Sequence, residues 1–120
     1  MATILIVEDH PVTQRVLTYT LQKLGHGVIL AVNGREALDR LAETPVDLVI
    51  SDIAMPEMDG MTLLKHMRAD VRYQALPVVV LTASGQDHDL HEARAAGANA
   101  FLTKPTSSRE LAETVGRLLP

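Results

Sequence analysis

VDLVISDIAMPEMDG, residues Val46–Gly60, is the stretch on which the fold turns. Leu48, Val49 and Ile50 form a continuous apolar run containing β-branched residues, the pattern of a strand covered on both faces in a parallel sheet. Asp52 follows two residues later. Pro56 and the pair Asp59-Gly60 mark a loop and a turn, and a helical pattern begins at Met61. In open α/β sheets ligands bind just outside the carboxyl ends of the strands. Asp52 therefore stands where such a fold does its chemistry. An acidic strand end taken alone reads as a cap or turn residue, so the other reading depends on the rest of the chain.

Upstream, Thr3–Val7 (TILIV) reads as a buried strand closed by Glu8-Asp9. Pro11 suits the first turn of a helix, with Asp9 or His10 as its cap. Leu17, Leu21 and Leu24 recur at helical spacing, and Gly25 suits a left-handed C-terminal position. Residues 28–32 read as a second strand, broken by Asn33-Gly34. Ala37, Leu38 and Leu41 then give an apolar helix face that ends before Pro45.

Downstream, a third helix runs from Met61 to about Met67, with Leu63, Leu64 and Met67 as core. Residues 70–76 read as a loop or turn. PVVVL, residues 77–81, is a fourth strand ending at Thr82. Residues 87–96 form a short helix closed by Gly97, and residues 99–103 a fifth strand ended by Lys104-Pro105. Thr106, Ser107 and Ser108 are cap candidates for a last helix. Glu110 sits in its first turn, and Leu111, Val115 and Leu118 face the core. Five βα repeats in 120 residues predict one α/β domain over 1–120, doubly wound, with a five-stranded parallel sheet between two helical layers.

Composition excludes several classes. No cysteine means no disulfide framework and no thiolate metal site, which fits a reducing, cytoplasmic setting. Ile4–Val7 is too short for a signal-peptide core, and no apolar run approaches a membrane span. The net charge of −4 argues against broad nucleic-acid binding.

Parallel strands end on one side, so that edge collects Glu8, Asp9, Asp52, Thr82 and Lys104. Two carboxylates ~5 Å apart at an effective dielectric near 20 repel by ~3 kcal/mol. A hard divalent cation relieves that conflict, and Mg²⁺ commonly takes one or two carboxylates plus a phosphate. Carboxylate, Mg²⁺, hydroxyl and ammonium together match phosphoryl transfer, in which a carboxylate can itself be the nucleophile.

These elements, Glu8-Asp9, Asp52 with the following MPEMDG, LTA at Leu81–Ala83 and Lys104-Pro105, resemble a response-regulator receiver domain of the CheY type over essentially the whole chain. The resemblance implies the flavodoxin-like strand order 2-1-3-4-5. It implies that Asp52 accepts a phosphoryl group from a histidine kinase or phosphotransfer protein. Mg²⁺ would be held by Glu8, Asp9, Asp52 and the backbone carbonyl of Ala54. Thr82 and Lys104 would contact phosphoryl oxygens, the Lys104–Pro105 bond would be cis, and Phe101 would be a switch aromatic. Such a domain is a signalling phosphoacceptor with its own phosphorylation and dephosphorylation activity, not a conventional enzyme. It would control an effector domain or protein through its fourth helix, fifth strand and last helix, with phosphorylation-dependent dimerisation as one route. Gln14, Arg15 and Thr18 on the first helix would face a kinase.

Rival readings are an Asp-nucleophile phosphatase, a nucleotide- or flavin-binding module, and a pseudo-receiver that serves only as a binding scaffold. Ala54 stands where the phosphatase needs a second Asp, and no glycine-rich phosphate loop follows the first strand. The complete acidic, Thr and Lys set opposes the scaffold. Met55, Met58, Met61 and Met67 read as packing residues. His88 and His91 with Asp87 and Asp89 read as an exposed polar face.

Overall fold

The computed structural model describes residues 1–53, 58–83 and 87–119, with side chains for all of these except 87–90. The strands are β1 (Thr3–Val7), β2 (Gly27–Ala31), β3 (Leu48–Asp52), β4 (Val78–Thr82) and β5 (Ala100–Thr103). They alternate with α1 (Pro11–Lys23), α2 (Gly34–Glu43), α3 (Gly60–Ala69), α4 (Asp87–Ala95) and α5 (Ser108–Leu118). All strand pairs are parallel, in the order β2-β1-β3-β4-β5. This is the doubly wound, flavodoxin-like arrangement expected above.

Side-chain alternation along each strand assigns residues to one of two cores. Ile4 and Ile6 of β1, Leu48 and Ile50 of β3, and Val79 and Leu81 of β4 pack with Leu17 and Leu21 of α1 and Leu111 and Val115 of α5. Leu5, Val7, Val49, Val78 and Val80 pack on the other face with residues of α2 and α3 and with Ala93 of α4. A strand covered on both faces has no polar side to show, which is why β1, β3 and β4 read as unbroken apolar runs.

Local signals explain most of the helix ends. Asn33 caps α2 by accepting from the Glu36 N–H, Asp59 caps α3 from the Thr62 N–H, and Ser107 caps α5 from the Glu110 N–H. Gly25 and Gly97 adopt the left-handed conformation after α1 and α4. α1 departs from the expectation. Its N-cap is His10, which makes no side-chain capping bond, and Asp9 does not supply one. Leu24 is the C-cap of α1, one residue past the helix, and is exposed although its spacing from Leu17 and Leu21 keeps it in line with the buried stripe.

The strand ends also shift by one residue from the sequence reading. β2 stops at Ala31, and Val32 is exposed. β5 begins at Ala100, because the Asn99 side chain is used at the preceding turn. Of the three outward α1 residues expected, Arg15 is exposed, whereas Gln14 and Thr18 are half-buried. The apolar side chains Val12, Val16 and Tyr19 are exposed on that helix instead.

Candidate functional site

The alternation that builds the first core also aims the charges. Ile4, Ile6 and then Glu8 follow one face of β1, Leu48, Ile50 and then Asp52 the same face of β3, and Ala100, Leu102 and then Lys104 the same face of β5. The parallel register places Val7 beside Ser51, Asp52 beside Leu81, and Thr82 beside Thr103. Three residues far apart in the chain therefore meet at one edge.

Lys104 Nζ donates to Asp52 Oδ2 at 2.8 Å and to Glu8 Oε1 at 3.1 Å. Glu8 is fully buried and Asp52 nearly so, while Asp9 is exposed. Glu8 Oε1 also accepts from the His10 N–H at 3.1 Å. Glu8 Oε2 lies 2.9 Å from the Lys104 ammonium but receives no hydrogen bond among the described residues. One oxygen of each of Glu8, Asp9 and Asp52 falls within 4.8 Å of the others. The cluster thus concentrates three carboxylates around one ammonium.

Burial pushes the Glu8 carboxyl above its ordinary value, the Lys104 hydrogen bond opposes this, and the Asp52 charge adds to the rise. Burial draws the Lys104 ammonium down, but its hydrogen bonds to Asp52 and Glu8 outweigh it, and the net shift is upward. The site therefore favours additional positive charge. An oxygen-only donor set, with a buried Glu8 oxygen that accepts no hydrogen bond among the described residues, fits a hard divalent cation.

The backbone around the cluster is fixed from several sides. The Glu8 N–H donates to the Ala31 carbonyl at 2.9 Å, and the Gln14 side-chain amide donates to the Glu8 carbonyl. Ser51 Oγ donates to the Asp52 carbonyl at 3.0 Å. The Ile53 N–H donates to the Leu81 carbonyl, and the Lys104 N–H to the Thr82 carbonyl at 2.8 Å. Gly60 closes the loop after Asp52: its N–H donates to the Ile53 carbonyl, and a Cβ there would run into the Asp52 carbonyl oxygen. In the sequence, Asp59-Gly60 reads as a turn pair. The spacing of eight between Asp52 and Gly60 was the available signal, but only the close approach of the two backbones gives it meaning. Gln14 was expected outward and instead serves the site. Ser51 was simply missed, since a serine inside an apolar strand carries no periodic signal.

Thr82 is buried at the end of β4, one residue beyond the register partner of Asp52. The Lys104–Pro105 peptide bond is cis. Phe101 is half-buried against the second core, with the Arg94 guanidinium 5.4 Å from its ring centroid. Ala54, Met55 and Ser84 lie outside the described residues, as do the side chains of Asp87, His88 and Asp89. His91 is exposed.

Four likenesses bear on this arrangement. The response regulator receiver domain family matches residues 4–116. The response regulator Rre1 of Synechocystis is 42% identical over 118 residues, covering 98% of this chain and 51% of Rre1. The crystal structure of the chemotaxis protein CheY4 of Vibrio cholerae superposes with a TM-score of 0.94 at 34% identity, covering 99% of each chain. The receiver domain of the sensor histidine kinase PA1611 of Pseudomonas aeruginosa, solved with a magnesium ion coordinated in its active-site cleft, superposes with a TM-score of 0.90 at 32% identity, covering 98% of this chain and 96% of that one. A match over nearly the full chain, on a fold whose charged groups converge at the carboxyl edge, places this protein in the response regulator receiver domain family.

Proposed function

We propose that the domain formed by residues 1–120 accepts a phosphoryl group on Asp52, in a reaction that needs Mg²⁺, and relays that event to an effector. The observation that carries this reading is the buried Asp52 carboxylate, held 2.8 Å from Lys104 Nζ with Glu8 and Asp9 oxygens beside it. An Asp52 oxygen attacks the phosphorus of a phosphohistidine on a sensor kinase or phosphotransfer protein. The P–N bond breaks, its electron pair stays on the imidazole nitrogen, and the imidazole takes up a proton. Glu8, Asp9 and Asp52 would hold Mg²⁺ together with the backbone carbonyl of Ala54. When bound, the ion neutralises charge on the carboxylate and phosphoryl oxygens.

Lys104 keeps the Asp52 oxygen oriented and faces the incoming phosphoryl group as a second positive charge. Thr82 supplies a hydroxyl to a phosphoryl oxygen. Phe101, without a hydroxyl of its own, follows through packing, and the surface of α4, β5 and α5 carries the change to an effector or to a second copy. Receiver domains are signalling proteins, so catalysis here is limited to the domain's own phosphorylation and dephosphorylation. No helix among the described residues is long and apolar enough to cross a membrane, and the reading places the domain in the cytoplasm with its kinase. Val12 and Val16 of α1 lie beside Lys104, Pro105 and Thr106 along a cleft of about 270 Å³, a surface suited to the kinase.

The test is the mass of the intact protein after incubation with acetyl phosphate, with and without Mg²⁺, for wild type and Asp52→Asn. One added phosphoryl group that requires both Mg²⁺ and Asp52 is expected. Labelling of Asp52→Asn at the wild-type level would show that the acceptor is elsewhere. No labelling, and no binding of beryllofluoride, would leave the scaffold reading.

A further inference from the structure

The opposite edge of the sheet holds a second convergent set of contacts, centred on Arg68 near the end of α3. Its Nε and Nη2 donate to the Gly97 carbonyl at 3.1 and 2.9 Å, and its Nη1 donates to the Tyr73 carbonyl at 2.8 Å. Nη2 also donates to Asn99 Oδ1 at 3.0 Å, and that oxygen accepts from the N–H of Val78, the first residue of β4, at 2.9 Å. Among the described residues Arg68 forms no ion pair, and burial draws its pKa below the ordinary arginine value. A half-buried guanidinium without a carboxylate is costly unless its donors are used. Here they satisfy the Gly97 carbonyl just past the C-terminal end of α4, an end that welcomes positive charge, and the Tyr73 carbonyl in the loop between α3 and β4.

Gly97 makes this possible. Its φ is +108°, and a Cβ would lie 2.8 Å from Arg68 Nε and 2.9 Å from Cγ. The turn is closed by the Gly97 N–H to the Arg94 carbonyl, the Ala98 N–H to the Ala93 carbonyl and the Asn99 N–H to the Val78 carbonyl. Arg94, in the last turn of α4, lies over the ring of Phe101 in β5. The C-terminal end of α4 is thus tied to α3, β4 and β5 together. Its N-terminal end starts five residues after Thr82.

We propose that Arg68 is a brace that makes the C-terminal end of α4 the fixed end of that helix, so that a rearrangement beginning at Thr82 displaces the N-terminal part of α4 while Gly97 and the bonds that close its turn stay in place. The trigger rests on the phosphoacceptor reading, whereas the brace does not. Gly97, held by Arg68 and by the bonds that close its turn, keeps its place, and the change is absorbed within the helix upstream of Arg94.

Hydrogen–deuterium exchange on the whole chain decides it, comparing wild type with Arg68→Met and Arg68→Lys, ligand-free and with Mg²⁺ plus beryllofluoride. Lysine keeps the charge and the stem but not the planar fork. In the ligand-free proteins, the amides of 97–99 are expected to exchange at least about tenfold faster in both variants, with β1 and β3 unchanged. With beryllofluoride, wild type is expected to respond over 90–93 and not over 97–99, and the variants over both. Unchanged exchange at 97–99 in the variants would overturn the brace. A wild-type response at 97–99 as large as at 90–93 would overturn the fixed end. Beryllofluoride without effect anywhere in wild type would remove the phosphoacceptor reading and the displacement with it, and the ligand-free comparison would still decide the brace. Should Arg68→Met fail to fold, Arg68→Lys and Asn99→Ala carry the same comparison.

Discussion

At the carboxyl edge of the sheet three carboxylates gather around one ammonium, and a buried Glu8 oxygen has no hydrogen bond among the described residues. At the amino edge three backbone donors at or beside the strand starts have side-chain acceptors. The Thr3 N–H meets Asp47 Oδ2 at 2.8 Å, the Ala2 N–H meets His26 Nδ1 at 3.2 Å, and the Val78 N–H meets Asn99 Oδ1. The two edges belong to the same strands and differ in what fills them. A satisfied edge contributes stability and asks for nothing. An edge with surplus negative charge is less stable alone and gains from a cation or from chemistry that uses the charge.

The largest break in that contrast is Asp52→Asn. It removes the nucleophile with little change of shape, so phosphoryl incorporation should fall to zero in the mass measurement. Lys104 still pairs with Glu8, and thermal stability should stay within a few degrees of wild type. Next comes Gly60→Ala, where the new methyl meets backbone rather than a movable side chain. It should cost ~3 kcal/mol or more in urea denaturation, because the end of β3 that carries Asp52 and the start of α3 must move apart.

Lys104→Met should cost about 2 kcal/mol without metal, less than for a fully buried pair because Lys104 remains partly in solvent. Added Mg²⁺ should recover more stability in this variant than in wild type. A variant as stable as wild type in the absence of metal would mean that the carboxylates do not strain the fold.

A pH titration of metal-free stability sharpens the same comparison. Glu8 has a folded pKa above its ordinary 4.5, so the folded state holds the proton more tightly than the unfolded state. Its contribution is fully present below that ordinary value and is lost as pH rises through the raised one. Lys104, also raised, contributes below 10.5 and loses its contribution only as pH climbs above that ordinary value. Metal-free stability should therefore fall as pH rises from about 4.5, a slope that saturating Mg²⁺ should flatten. The smallest effect belongs to the satisfied edge. Asp47→Ala removes one exposed acceptor from Thr3, which water can replace, and should cost ~0.5–1 kcal/mol with no change in Mg²⁺ affinity.

Much of this molecule was legible before its structure. Apolar runs of strand length, cap residues and glycines are local signals, and Asn33, Asp59, Ser107, Gly25 and Gly97 act where their chemistry says they should. Strand parity even foretells that Glu8, Asp52 and Lys104 share a face, because alternation continues one step past each strand. The resemblance to receiver domains supplied the strand order, which periodicity alone leaves open.

The sequence by itself determined five βα units, the two-sided apolar strands and an acidic edge with one lysine, because each follows from the spacing of neighbours along the chain. Only the tertiary structure decided that Gln14 turns inward to Glu8, that Gly60 must lack a side chain because it lies against Asp52, and that Arg68 reaches the carbonyl of Gly97. Each joins residues that the chain keeps apart and that differ in kind from any repeating pattern. Their meaning comes from which backbone atoms packing brings within ångströms, and no local propensity encodes that distance.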